Sequence, residues 1–230
     1  MFPGGTLPDD LPGPHAGQPV VTAGAPRGAA EAAVVCLHGR GATAQGAINL
    51  YEPVARHGVA FVAPQGVRSR WLPHAADAPR ERNEPHLSSA LAAVGAVLAR
   101  TREVLDLPAE AIVVTGFSQG AAVAAEYAAG VGGRHPLALL SGGLLGPTVD
   151  PGSYDGDLTG TPVLVAGGAD DDRVPVERLA ATADVLRARG GDVTERVYDG
   201  VGHEVTDDEF AWIDDVLGRR LGDSDDGTGR

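Results

Sequence analysis

This 230-residue chain has no lysine and only one cysteine. A lone Cys36 rules out an intrachain disulfide and a cysteine-based zinc site. It lies inside the apolar run Ala32-Ala33-Val34-Val35-Cys36-Leu37 and reads as a core packing residue. All 18 basic residues are arginine, against 31 acidic ones, for a formal net charge of -13. With no basic stripe to meet phosphates, nucleic acid is disfavoured and no nucleic-acid partner is expected. No apolar run is long enough to cross a bilayer. Met1 to Gln18 is rich in proline and glycine and lacks a basic stretch followed by an apolar one, so it does not read as a secretion signal. The default expectation is a cytoplasmic protein.

Missing lysine and excess acid need separate explanations. A high-GC genome favours arginine over lysine but does not explain 31 acidic residues, whereas a halophilic origin explains both. At molar salt the Debye length falls to about 3 Å, so self-repulsion is screened while hydrated carboxylates keep the chain soluble.

The length suits one α/β domain. Residues 1–17 read as a flexible arm, 18–222 as the domain, and 223–230 as a disordered acidic tail. Val20-Val21-Thr22 is a candidate edge strand. Further strands are expected at Ala32 to Leu37, Val59 to Ala63, Ala111 to Thr115, Leu137 to Leu140, Pro162 to Ala166 and Val193 to Tyr198. Several are short continuous apolar runs, the pattern of a parallel sheet covered on both faces. Between them, Ser89 to Leu105 carries Leu91, Val94, Leu98 and Leu105 at near-helical spacing. Thr206 and Glu209 have the spacing of a capping box ahead of Phe210, Ile213 and Leu217. This alternation predicts a mostly parallel, doubly wound sheet with helices on both faces. The connection from Ser141 to Gly160 is rich in Gly, Pro and Asp and lacks an amphipathic helix, so no large cap domain is expected.

Gly116-Phe117-Ser118-Gln119-Gly120 falls between a β-branched run and a run of small residues. A G-x-S-x-G at a strand-to-helix corner exposes its serine above the sheet, with a helix N-terminus behind it. Such a serine needs an acid and then a histidine further along the chain. Asp170-Asp171-Asp172 follows the apolar run ending Ala166-Gly167-Gly168, and His203 follows the alternating segment Val193 to Tyr198. Each partner thus sits beyond the C-terminal end of a strand, where open parallel sheets place their ligand sites. The pattern makes Ser118 a nucleophile and His203 its base. Any of the three aspartates could orient the histidine, or the cluster could be a solvated acidic turn. His38 reads as structural.

The chain resembles the phospholipase/carboxylesterase group of small α/β-hydrolases, which includes the acyl-protein thioesterases. The resemblance runs over roughly residues 31–217. It rests on Leu37-His38-Gly39-Arg40-Gly41-Ala42, Ala63-Pro64-Gln65, Trp71-Leu72-Pro73, Asn83-Glu84-Pro85, the elbow, Asp171 to Pro175, and Gly202-His203-Glu204. It implies an α/β-hydrolase fold and a serine hydrolase that cleaves carboxylic esters through an acyl-enzyme. Its pattern of an aspartate followed by Val174-Pro175 selects Asp171 as the acid. It also implies an oxyanion hole from the backbone amides of Gln119 and Arg40. The Arg40 side chain is expected to be solvated or paired with an acid. Trp71, Leu72 and Leu144 are the candidates for an apolar acyl or alcohol pocket. No cofactor or metal is expected, since no His or Cys cluster accompanies the acidic turn. The expected partner is a small-molecule ester with a short to medium acyl chain; a homodimer is left open. Acyl-protein thioesterase and lysophospholipase activity are the alternatives within the same chemistry. A binding protein on a hydrolase scaffold is the alternative outside it, and the intact set of three residues speaks against that.

Overall fold

The structure is a computed structural model and describes residues 5–222. Eight strands form one sheet in the order β1-β2-β4-β3-β5-β6-β7-β8. They are β1 (Gly5–Thr6), β2 (Pro19–Gly24), β3 (Ala32–Leu37), β4 (Val59–Pro64), β5 (Ile112–Phe117), β6 (Leu137–Leu140), β7 (Pro162–Gly168) and β8 (Asp192–Tyr198). From β4 to β8 every pairing is parallel, while β1 and β2 add antiparallel at one side.

Strand periodicity explains how one sheet supports two cores. Along β3, Ala33, Val35 and Leu37 face one side, where they pack with residues of α2 (His86–Leu105), α3 (Gln119–Val131) and α4 (Val176–Ala188). Ala32, Val34 and Cys36 face the other, packing with α1 (Ala44–Leu50) and α5 (Asp207–Leu221). Both faces being covered, the inner strands are continuous apolar runs. Helix α5 begins with the expected capping box: the Glu209 carboxylate accepts the Thr206 amide at 2.6 Å. Among the described residues no helix is long and apolar enough to cross a membrane.

Three expectations need correction. Residues 5–17 are not a free arm: β1 pairs with β2, and Leu7 and Leu11 are buried in the main core. His15 is completely buried. Its Nδ1 accepts the Val67 amide at 3.1 Å, so Nε2–H donates to the Trp71 carbonyl at 3.0 Å. Burial pushes its pKa down to about 4, keeping the ring neutral. Proline and glycine gave this segment the composition of a linker, but two leucines and one histidine anchor it. The second is partial and follows from the first: β1 pairs only with Pro19 and Val20, so it covers one end of β2 and leaves Val21 and Thr22 at the sheet edge. The third concerns the strand before the elbow, which runs to Phe117, with Ala111 closing a short 3-10 turn ahead of it. The tail 223–230 lies outside the described residues.

Candidate active site

The C-terminal ends of β3, β5, β7 and β8 open onto one cleft of about 680 Å³. Ser118 stands at the corner between β5 and α3 with φ 56° and ψ -118°, a conformation L-residues avoid and surrounding structure must hold. The flanking glycines make the corner possible. A Cβ on Gly116 would lie 2.4 Å from the Gly120 carbonyl carbon, and one on Gly120 would lie 2.1 Å from the Leu37 carbonyl oxygen. Gln119 is the first residue of α3, so its amide is one of those a helix leaves without an internal acceptor.

The three chain segments named in the sequence come together here. His203 Nε2 lies 2.9 Å from Ser118 Oγ, and Nδ1 lies 2.7 Å from Asp171 Oδ2. The other oxygen of Asp171 accepts the amides of Arg173 at 2.8 Å and Val174 at 3.1 Å. Burial pushes the Asp171 carboxyl up, but the bonds from His203 and from these two amides outweigh it and hold the pKa below the usual range. Phe117 packs beside the imidazole, ring centroids 4.8 Å apart. Asp170 and Asp172 are both exposed, and among the described residues neither bonds to His203.

His38 holds two strand ends together. Its Nε2 accepts the Gly66 amide at 2.9 Å, leaving Nδ1–H to donate to the Gly39 carbonyl at 2.8 Å. Trp71 stacks on it and donates Nε1–H to its carbonyl at 2.9 Å. Gln119 grips the same loop from the other side. Its Oε1 accepts the amides of Trp71 and Leu72 at 2.7 and 3.2 Å, and its Nε2 donates to the Leu72 carbonyl at 3.0 Å. The Arg40 side chain is exposed, in line with the solvated expectation, and also donates to the carbonyls of Pro73 and His74.

Of the three pocket candidates, only Leu72 lines the cleft. Trp71 and Leu144 are fully buried wall residues, and Leu145 takes the lining position. Sequence reading also missed Glu126. This fully buried carboxylate on α3 accepts the Leu145 amide at 2.8 Å and the Tyr154 hydroxyl at 2.8 Å, and pairs with Arg80. A single glutamate inside the apolar helix run Ala121 to Ala129 was the available signal. Among the described residues no group of three or more His, Cys, Asp or Glu is arranged to hold a metal ion.

A mostly parallel open sheet, an elbow serine and a strand-end histidine together define an α/β-hydrolase. Residues 18–219 match the phospholipase/carboxylesterase family, and the chain belongs to it. A phospholipase/carboxylesterase from Dyadobacter fermentans is 36% identical, with a TM-score of 0.79 over 87% of this chain and 96% of that one. A carboxylesterase from Mesorhizobium loti shares the fold, with a TM-score of 0.72 at 23% identity over 94% of this chain and 99% of that one. Acyl-protein thioesterase 1 of Gibberella zeae is 33% identical over 119 residues, a match spanning about half of each chain (49% of both).

Proposed function

We propose that the chain is a serine esterase that cleaves carboxylic esters through an acyl-enzyme at Ser118. The observation that carries this reading is the unbroken hydrogen-bonded line from Ser118 Oγ through His203 to Asp171, at 2.9 and 2.7 Å. Ser118 Oγ attacks the acyl carbonyl as its proton passes to His203 Nε2, and Asp171 stabilises the imidazolium that results. The carbonyl oxygen becomes an oxyanion facing the amides of Gln119 and Arg40. On the Arg40 loop, the Gly41 and Ala42 amides already bond to the carbonyls of Ser69 and Gly39, which favours the Arg40 amide as the second donor. The intermediate collapses, His203 returns the proton to the leaving alcohol, and water repeats the cycle to release the acid. A fluorophosphonate probe should label Ser118 one-to-one, and labelling should vanish in Ser118→Ala. A catalytically competent protein that resists the probe would overturn the reading.

A thioester substrate is the second reading, favoured by the similarity to acyl-protein thioesterase 1 of Gibberella zeae. Matched oxygen and sulfur esters of one acyl chain would separate the two by kcat/KM. A halophilic setting belongs to the same proposal, supported by the -13 charge without lysine, and a cytoplasmic location is proposed with it.

A further inference from the structure

The cleft above Ser118 carries charge of a sign that the chain as a whole does not. Of 230 residues, 31 are acidic and 18 basic. Yet Arg40, Arg173 and Arg178 line the cleft against Asp77 and Asp172. Arg173 and Asp172 offset each other at 3.9 Å, both largely in solvent. Asp77 is exposed. That leaves two guanidinium groups that meet no carboxylate within salt-bridge distance among the described residues. Among the described residues, Arg40 bonds to the Pro73 and His74 carbonyls, and Arg178 Nη1 bonds to the Leu144 carbonyl, at 2.9 Å. The buried carboxylate of this wall, Glu126, is already engaged by Arg80, Tyr154 and Leu145. Arg40 is exposed like Asp77, but it is partly desolvated, lies near Arg70, and meets no carboxylate within salt-bridge distance among the described residues.

A guanidinium has five N–H donors in a planar fork, and Arg178 directs one of them to protein. Holding the Leu144 carbonyl needs a donor but not a charge. Much of the remaining wall is uncharged, with Ala122, Gly142, Gly143 and Leu145 among its residues. A positive charge beside such a wall, within a strongly acidic protein, raises the local affinity for an anion where the overall field opposes it.

We infer that the substrate carries a carboxylate, which Arg178 binds in the cleft with the Arg40 charge in support. This rests on the Ser118 esterase reading and narrows its substrate class. The carboxylate belongs either to the acyl half, as in a half-ester of a dicarboxylic acid, or to the alcohol half. Charge-assisted guanidinium–carboxylate bonding is strong enough to raise kcat/KM by about tenfold or more.

Two matched pairs test this on the full-length protein. For the acyl side, p-nitrophenyl hydrogen adipate is compared with its methyl ester. For the alcohol side, 4-butyryloxybenzoate is compared with its methyl ester. In at least one pair the anion should be preferred by about tenfold, mainly through KM. Arg178→Gln keeps a donor for Leu144 and should abolish the preference, while Arg178→Lys keeps the charge and should retain most of it. Neutral esters favoured in both pairs would overturn the inference. So would Gln and Lys variants with the same preference. Should Arg178→Gln fail to fold, adipate must still compete with p-nitrophenyl butyrate on the unmodified protein, and no competition at large excess would overturn the inference. Failure to turn over any ester refutes the esterase reading instead, because neutral esters report on Ser118 alone.

Discussion

Replacing Asp171 by asparagine changes one atom, and the site geometry fixes the consequence. One oxygen of Asp171 serves the Arg173 and Val174 amides, and the other serves His203 Nδ1. An asparagine must turn its NH2 towards one of these sides. Facing the two amides would leave both unpaired, at about 1–3 kcal/mol each. It therefore turns towards His203, donor against donor, and the ring responds by moving its proton to Nε2. That tautomer cannot accept the proton of Ser118. Restoring the productive tautomer costs one buried hydrogen bond, about 1–3 kcal/mol, and the imidazolium loses a charge-assisted partner, about 1.5–3 kcal/mol. Together these predict a loss of roughly a thousandfold or more in kcat. The assay is p-nitrophenyl butyrate hydrolysis, with circular dichroism to confirm the fold. Asp170→Asn and Asp172→Asn serve as controls and should stay within about threefold, being exposed changes outside the triad. An Asp171→Asn protein keeping more than a tenth of wild-type turnover would refute the reasoning. A more damaging Asp170→Asn would assign the acid to the neighbouring residue.

Ser118→Ala and His203→Ala should each lower turnover by several orders of magnitude, with the double variant little worse, because the residues act as one unit; additive losses in steady-state kinetics would argue against this. The buried Glu209 carboxyl is pushed up to about 7, mainly by burial, from an ordinary 4.5. The folded protein therefore holds a proton that the unfolded chain has lost between those values. This stabilisation is complete below pH 4.5 and is lost as pH rises through 7, with an upper bound of about 3 kcal/mol. Glu209→Gln should flatten that part of the Tm–pH curve, and an unchanged curve would remove Glu209 as its cause. From dilute to molar NaCl, Tm and esterase activity should rise together as the charge of -13 is screened. Equal stability and activity at both extremes would leave genome composition as the better account of the missing lysines.

The parts of this molecule legible in its sequence were those written in local chemistry. The elbow needs glycines at fixed offsets from Ser118, and the strand before it needs apolar residues on both faces, so adjacent letters carry both signals. The Thr206–Glu209 capping box was readable for the same reason. The cleft wall was not. Leu144 and Leu145 are neighbours on a loop without period, and nothing in their order says which side chain turns inward. Bonds from other elements fix that choice: Glu126 accepts the Leu145 amide, Thr182 accepts the Leu144 amide, and Arg178 holds the Leu144 carbonyl. The N-terminal segment was misread because its composition resembles a linker, while its anchors Leu7, Leu11 and His15 bind partners far away in sequence.

Gln119 takes two parts in the proposed mechanism: its amide, at the start of α3 in the cleft lining, is the first oxyanion donor, and its side chain grips the backbone of Trp71 and Leu72 through three hydrogen bonds. Trp71 in turn secures the His38 carbonyl, two residues before Arg40. Ordering this loop is therefore part of folding and does not wait for substrate. In the proposed mechanism, the conformational entropy of aligning the oxyanion donors would be lost once in the life of the molecule, and every catalytic cycle would start from a site already assembled.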